Sequence, residues 1–277
     1  MRQIVVAVQA SDVKLRTVDF ACYIARLTDS SLVCALIDGI EGSKEDDDSI
    51  PVITQEVIAK TSYSGLDIEV EHLKRSKKMF TEACTNRGIS YEFLPNLPLE
   101  INELIRESRF SDLIIVDATI SFQKRFEGLP TVFLEQLLKK TECPVIVAPE
   151  SFDGCEEIIF AYDGSKSAMF AIRQFASLFP GLRNVKLTVL EVADENDRLF
   201  TEQDRLAQWL KNYYSNIDYK LLYGRPKDEL FGYLLEKEKI VVVMGAFGRT
   251  MLSSLVSKSN AELILKAVNL PVFISHT

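Results

Sequence analysis

The sequence predicts an α/β protein made of two tandem domains, each an open parallel five-stranded sheet with helices on both faces. Three observations lead to this prediction. The chain has 277 residues, which is long for one hydrophobic core and comfortable for two. Short apolar runs alternate with helical patterns, as in the βαβ units that build a parallel sheet. The apolar runs of the first half also recur in the second half, in the same order and with nearly the same spacing.

The first half begins with the apolar run 4–8, which predicts a buried strand that ends in a polar turn. A helix follows, and a longer helical region extends near residues 66–87. Between them, the stretch 41–48 carries five carboxylates. This pattern is typical of a solvated loop, and a divalent-cation site is the less favoured alternative.

In the second half, five apolar runs predict strands, and the segments between them carry apolar residues at helical spacing. The predicted strands are 158–162, 185–192, 219–222, 240–244 and 272–275. The residues expected to face the core from the first two helices are Ala168, Ile172, Phe175, Phe179, Leu206, Trp209, Leu210 and Tyr213. We interpret the single tryptophan, Trp209, as a packing residue.

Three pairs of matching segments carry the internal repeat. Residues 3–11, 111–117 and 144–147 correspond to residues 157–165, 239–245 and 271–274. We therefore place the domains at 1–150 and 156–277, with a short linker that leaves them in contact. Pro144 and Pro271 each stand at the start of the last predicted strand of their half. Proline lacks the backbone N–H that a central strand donates, so its place here is typical of a strand at the edge of a sheet. Because exposed edges pair with one another, we expect an internal pseudo-dimer through these strands, and whether the chain forms a further homodimer stays open.

Composition and charge argue against several classes of protein. Apolar residues make up 47% of the chain and charged residues 26%, which is ordinary for a globular protein. The net charge of −8 argues against nucleic-acid binding, which depends on Lys and Arg neutralising phosphates. Since no apolar stretch reaches about 18 residues, we expect no membrane span. The five cysteines form no C-x-x-C pair, and their odd number favours reduced thiols in the cytoplasm.

A ligand site in an open parallel sheet lies beyond the carboxyl ends of the strands, where the strand order reverses. For the predicted order 3-2-1-4-5, that point falls between the first and fourth strands of each domain. In the second half, the residues at this point are 161–163 and 244–248. These two segments are therefore the place to look for binding chemistry.

The second of these segments begins the most specific motif in the chain. Gly245 and Gly248 are followed, after nine residues, by Lys258 and Ser259. Glycines let main-chain N–H groups approach phosphates, and the start of a following helix offers further donors. In this pattern the second half resembles the universal stress protein family, whose ATP-binding members carry a glycine, two residues, a glycine, nine residues, and then glycine with serine or threonine. Lys258 replaces the third glycine.

The resemblance implies a tandem two-domain member of the family and a site for ATP or AMP, with Mg²⁺, in the second half. It implies that Ala161 and Tyr162 lie beside the base, that Val192 flanks the base, and that Asp163 contacts the nucleoside. The other expected contacts, to ribose and phosphates, are Met244, Gly245, Gly248, Arg249, Lys258, Ser259 and Asn260.

Several of these residues also have an interpretation that needs no ligand. Asp163 is a typical residue for a turn before Gly164 or for the N-cap of the following helix. Ser259 and Glu262 have the spacing of a helix capping box. If position 258 requires a positive φ, its lysine side chain costs roughly 1–2 kcal/mol. This cost would weaken nucleotide binding by on the order of tenfold.

The first half lacks this set of residues. Gln9 stands in the place of Asp163, and Asp117 stands in the place of Gly245. A carboxylate about 4 Å from a phosphate costs on the order of 4 kcal/mol at a surface-like dielectric constant. We therefore expect no nucleotide in the first half.

Catalysis finds little support in the sequence, because neither His72 nor His276 can be placed beside a nucleophile and a carboxylate. No metal-ligand cluster is evident. The leading hypothesis is a cytoplasmic stress-response or signalling protein whose C-terminal domain binds an adenine nucleotide. The alternative is a scaffold that binds no nucleotide and acts through protein–protein interaction. An enzyme acting on nucleotides is the minority interpretation.

Overall fold

The computed structural model describes residues 3–37, 63–95, 98–122, 128–193, 200, 202–245 and 269–275. The strands are β1 (Gln3–Gln9), β2 (Ser31–Ile37), β3 (Tyr91–Phe93), β4 (Leu113–Asp117), β5 (Val145–Ala148), β6 (Glu157–Ala161), β7 (Lys186–Ala193), β8 (Ile217–Tyr223), β9 (Ile240–Gly245) and β10 (Val272–Ser275). The helices are α1 (Leu15–Thr28), α2 (Tyr63–Arg87), α3 (Ile101–Glu107), α4 (Val132–Lys140), α5 (Lys166–Leu178), α6 (Gln203–Leu210) and α7 (Pro226–Leu235).

The strands form one ten-stranded sheet in the order β3-β2-β1-β4-β5-β10-β9-β6-β7-β8. Each half has the predicted order 3-2-1-4-5, and the predicted α/β class is confirmed. The expectation of two separate sheets is corrected, because β5 and β10 pair with each other. Their antiparallel pairing satisfies backbone groups that two isolated sheets would leave exposed at their edges.

The register between adjacent strands shows that the two halves are equivalent position by position. Val6 pairs with Ile115 in the first half, and Phe160 pairs with Val243 in the second. Counting two residues onward along β4 and β9, Asp117 is the structural counterpart of Gly245, as the sequence repeat predicts. The antiparallel pair Ile146–Phe273 lies at the centre of the junction between the halves.

Helices cover both faces of the sheet, as predicted. On one face, α1, α2, α5 and α6 enclose a single apolar cluster that runs across both halves. The helices α3, α4 and α7 cover the opposite face. Phe273 is fully buried in the first cluster, with its ring centroid 5.2 Å from that of Phe175 and 6.2 Å from that of Phe179. The core is therefore continuous through the junction.

The linker between the halves is packed against the first of them. Phe152 places its ring 5.0 Å from the ring of Phe20 and 4.9 Å from that of Tyr23, both in edge-to-face geometry. The guanidinium of Arg16 forms an ion pair with Glu150, just before the linker. Among the described helices, none combines the length and the apolar character needed to cross a membrane.

A buried carboxylate lies at the start of β6. Glu157 accepts a 2.6 Å hydrogen bond from the Thr188 hydroxyl and a 2.8 Å bond from Lys237 Nζ, and Lys186 Nζ lies 3.1 Å away. Burial alone raises the pKa of Glu157, but these three donors together outweigh burial and hold the pKa below its ordinary value of 4.5. The folded state therefore favours the ionised carboxylate.

We expect Glu157→Gln to lower the free energy of unfolding at neutral pH by about 2 kcal/mol, since charge-assisted hydrogen bonds are lost. Because the folded pKa lies below the unfolded one, this contribution is present above pH 4.5 and is lost as the pH falls through the folded pKa. Urea denaturation at neutral and acidic pH measures both effects. Glu156→Gln is the control, because the Glu156 side chain is 70% exposed. An equal loss of unfolding free energy in both variants would contradict the stabilising role of the ionised Glu157 carboxylate.

Candidate functional site

The carboxyl end of β6 forms a tight turn into α5. Ala161 and Tyr162 are each 4% exposed, whereas Asp163 is exposed. The Asp163 carboxylate accepts a 3.0 Å hydrogen bond from the Ser165 backbone N–H, and the Ser165 hydroxyl accepts a 3.1 Å bond from the Ala168 N–H. Asp163 therefore has the turn role that the sequence offered as an alternative, and Ser165 is the N-cap of α5.

Gly245 ends β9 directly against the first turn of α5. A Cβ at this position would lie 2.6 Å from the backbone nitrogen of Ala168 and 2.6 Å from the carbonyl carbon of Ser167. The glycine is thus required for the close packing of helix against strand, whether or not a ligand binds. The Ser167 hydroxyl is buried here and has no hydrogen-bond partner within the described residues.

The structure distributes the predicted contacts over both faces of the sheet. Ala161, Val192 and Met244 pack into the cluster covered by α7, whereas Tyr162 enters the opposite cluster. Ala161 and Met244 come together, since both follow the Phe160–Val243 pair on adjacent strands. The other predicted contacts, Gly248, Arg249, Lys258, Ser259 and Asn260, lie outside the described residues.

Tyr162 belongs to an aromatic group at the end of β6. Its ring is parallel to that of Phe200, with centroids 6.0 Å apart and an interplanar angle of 4°. Burial raises the pKa of the Tyr162 hydroxyl, and the carboxylates of Glu202 and Glu191 raise it further. The phenol therefore stays neutral at neutral pH and presents a hydrogen-bonding group, not a charge.

The equivalent crevice in the first half is filled by its own side chains. Asp117 is 6% exposed, and its Oδ1 accepts 2.8 Å and 2.7 Å hydrogen bonds from the Thr119 backbone N–H and hydroxyl. Thr17 donates to Oδ2 over 3.3 Å, and Lys14 Nζ lies 3.8 Å from Oδ1 and also contacts Thr119. Sequence reasoning identified Asp117 but missed Thr17 and Lys14, because no spacing rule joins residues about a hundred positions apart. The bond to Thr119, two residues onward, is a local turn that an Asp followed by Thr could have suggested.

A second bridge closes the same crevice. Gln9 Oε1 accepts a 3.2 Å hydrogen bond from the Ser121 N–H, and Gln9 Nε2 donates to the Ser121 carbonyl over 3.4 Å. These bonds connect the end of β1 to the loop that follows β4. In the second half, the loop that follows β9 lies outside the described residues, and the described part of the crevice holds the turn of Asp163 and Gly245, which has no side chain.

No metal centre emerges from the described part of the chain, where no three His, Cys, Asp or Glu side chains are grouped to hold an ion. The acidic stretch 41–48, the less favoured cation-site candidate of the sequence, lies outside the described residues.

The fold and the crevice together define an α/β protein with two equivalent halves, joined through their final strands and differing at the switch point of the sheet. A search with family models finds no match. The chain is similar to the universal stress protein Slr1230 of Synechocystis, with 24% identity over 163 residues, which is 58% of this chain and 56% of the relative. The chain thus matches about half the length of that curated relative.

Solved structures extend the comparison to the whole fold. A universal stress protein from Archaeoglobus fulgidus superposes with a TM-score of 0.67 at 17% identity, covering 99% of this chain and 98% of the other. A functionally unknown protein from Pseudomonas aeruginosa gives a TM-score of 0.50 at 16% identity, covering 100% and 92%. These comparisons confirm the resemblance to the universal stress protein family.

Proposed function

We propose that this chain acts in a stress response and that its C-terminal half binds an adenine nucleotide, ATP or AMP with Mg²⁺, at the carboxyl ends of β6 and β9. The stress-response role rests on the names of the Synechocystis and Archaeoglobus proteins. The observation that carries the binding proposal is the difference between the two equivalent crevices. Asp117 and the side chains bonded to it fill this position in the first half, whereas a glycine occupies the matching position of the second.

The position of the carboxylate supports binding in the second half over the first. Asp117 in the first half would place a carboxylate where Gly245 leaves none, and a phosphate about 4 Å away would meet repulsion on the order of 4 kcal/mol. Gly245 also lets the start of α5 approach the crevice, and the N-terminal end of a helix favours an anion. Asp163 Oδ2 accepts no hydrogen bond within the described residues and is available to a ribose hydroxyl.

The alternative is a scaffold that binds no nucleotide and recruits other proteins. Two observations favour it. The turn of Asp163 and the cap of Ser165 are complete without a ligand, and Lys258 stands where the family pattern has its third glycine. Cytoplasmic location, an internal pseudo-dimer and further homodimerisation remain predictions.

Calorimetric titration with ATP and Mg²⁺ separates the two candidates. We expect one site per chain, abolished by Gly248→Glu, which would place a charge and a side chain where the phosphates approach. Asp163→Ala is expected to weaken binding by about tenfold, the value of one charge-assisted hydrogen bond. Asp153→Ala is the control, because Asp153 is an exposed linker residue away from the crevice.

Absence of binding heat, or binding undiminished in Gly248→Glu, would favour the scaffold. Two nucleotides bound per chain would contradict the closed crevice of the first half. Measuring nucleotide hydrolysis on the same samples tests the enzymatic interpretation.

A further inference from the structure

A cavity of about 520 Å³ lies between α5 and α6, on the face of the sheet opposite to Ala161 and Met244. Its apolar lining is rich in aromatic side chains. The apolar residues that line it are Tyr162, Met169, Phe170, Leu206 and Trp209. A volume of this size is typical of small-molecule sites, and flat rings stack well on such a lining. Tyr162 is the one residue that this cavity has in common with the predicted nucleotide contacts.

The rim of the cavity is positively charged. Lys166, Arg173 and Arg205 line it together with a single carboxylate, that of Glu202, which pairs with Arg205 over 3.5 Å. Lys166 and Arg173 have no ion-pair or hydrogen-bond partner within the described part of the chain. Since the whole chain carries a net charge of −8, this concentration of cations is opposite in sign to the molecule around it.

The first half of the molecule provides an internal comparison. In the repeat, residues 3–11 match 157–165, and the same offset carried into the following helix places Asp19 of α1 at the position of Arg173 of α5. Asp19 is already paired, with Arg87 Nη2 2.7 Å from its carboxylate. The sign of the charge at this place is therefore reversed between the halves. A cation rim is not a general requirement of the fold.

We propose that this cavity binds a small aromatic anion, with the ring on the apolar lining and the acid group paired with Lys166 and Arg173. Two features determine this ligand class. The aromatic side chains favour a flat apolar body over a sugar or a peptide backbone, and unpaired guanidinium and ammonium groups favour a carboxylate, sulfonate or phosphate. The site is separate from the nucleotide crevice, and it does not depend on the function proposed above.

The single tryptophan gives a direct readout, because Trp209 lines the cavity and no other tryptophan contributes to the emission. The probe is 8-anilinonaphthalene-1-sulfonate, an aromatic anion that accepts excitation energy from tryptophan. Titration of the full chain is expected to give saturable quenching of Trp209 with a matching rise in probe emission. Lys166→Gln and Arg173→Gln are each expected to raise the dissociation constant about fivefold, the upper range for an exposed ion pair.

Lys220→Gln is the matched control, because Lys220 is exposed on β8 and the substitution removes the same charge away from the cavity. The dissociation constant of this variant is expected to equal that of the parent. Unchanged melting temperatures would show that the variants remain folded. Three results would overturn the proposal: no quenching of Trp209, equal affinity in the parent and the Lys166→Gln and Arg173→Gln variants, or equal affinity for the uncharged analogue N-phenyl-1-naphthylamine. Displacement of the probe by ATP with Mg²⁺ at equal stoichiometry would also overturn it, because the two sites would then be one.

Discussion

Replacing Phe273 with alanine is expected to lower the free energy of unfolding by about 4 kcal/mol, the usual cost of removing a buried phenylalanine ring. Phe273 is 0% exposed and packs against Phe175 and Phe179. It also pairs with Ile146 of the first half across the junction of the sheet. Both halves should therefore lose stability together. Chemical denaturation followed by circular dichroism and by Trp209 fluorescence measures this loss.

The two signals distinguish a shared core from two independent ones. Circular dichroism reports on the helices of both halves, whereas Trp209 belongs to the second half alone. Coincident transitions, shifted equally by Phe273→Ala, are expected if the apolar cluster behaves as one unit. Phe110→Ala is the control, because that ring is 76% exposed and should change stability by no more than about 0.5 kcal/mol. A shift in the fluorescence transition alone would contradict a shared core.

Gly245→Ala is expected to destabilise the protein by about 3 kcal/mol, at the upper end of the range for overpacking. The new methyl group would lie 2.6 Å from backbone atoms of Ser167 and Ala168, which cannot turn away as a flexible side chain does. The first turn of α5 must then move off the strand. Urea denaturation measures the change.

A second glycine provides the matched control. Gly232 lies within α7, and a Cβ there would meet nothing within 4 Å. Gly232→Ala is therefore expected to stabilise the protein by about 0.5–1 kcal/mol, because alanine is the better helix former. A stability of Gly245→Ala equal to that of the parent would show that the helix start is not held against the strand. The nucleotide proposal would then lose the close approach of α5 on which it partly rests.

Much of the architecture follows from local pattern. Buried parallel strands appear as short apolar runs, so the run at 158–162 and the strand Glu157–Ala161 nearly coincide. The repeat likewise predicted that Asp117 is the counterpart of Gly245, and the strand register confirms this. Periodicity succeeds here because burial on a sheet face is decided by neighbouring residues along the chain.

The site was less predictable, because one residue type serves several roles. Asp163 matches a nucleoside contact in the family pattern, and in the structure it holds the turn before α5. Gly245 matches a phosphate-approach glycine, and in the structure it makes room for the helix start. Trp209 reads as a packing residue, and its ring also stacks on Tyr213 and lines a cavity.

By itself, the sequence determined the apolar runs that become strands and the different position of the carboxylate in the two crevices, because these depend on residues that are close in the chain or repeated within it. Only the tertiary structure decided that β5 and β10 pair antiparallel, and in which register they join the halves into one sheet. The same holds for the partners of Asp117 and for the cations that gather around the α5–α6 cavity. These features arise from contacts between distant segments, which only the packing of helices on the sheet brings together.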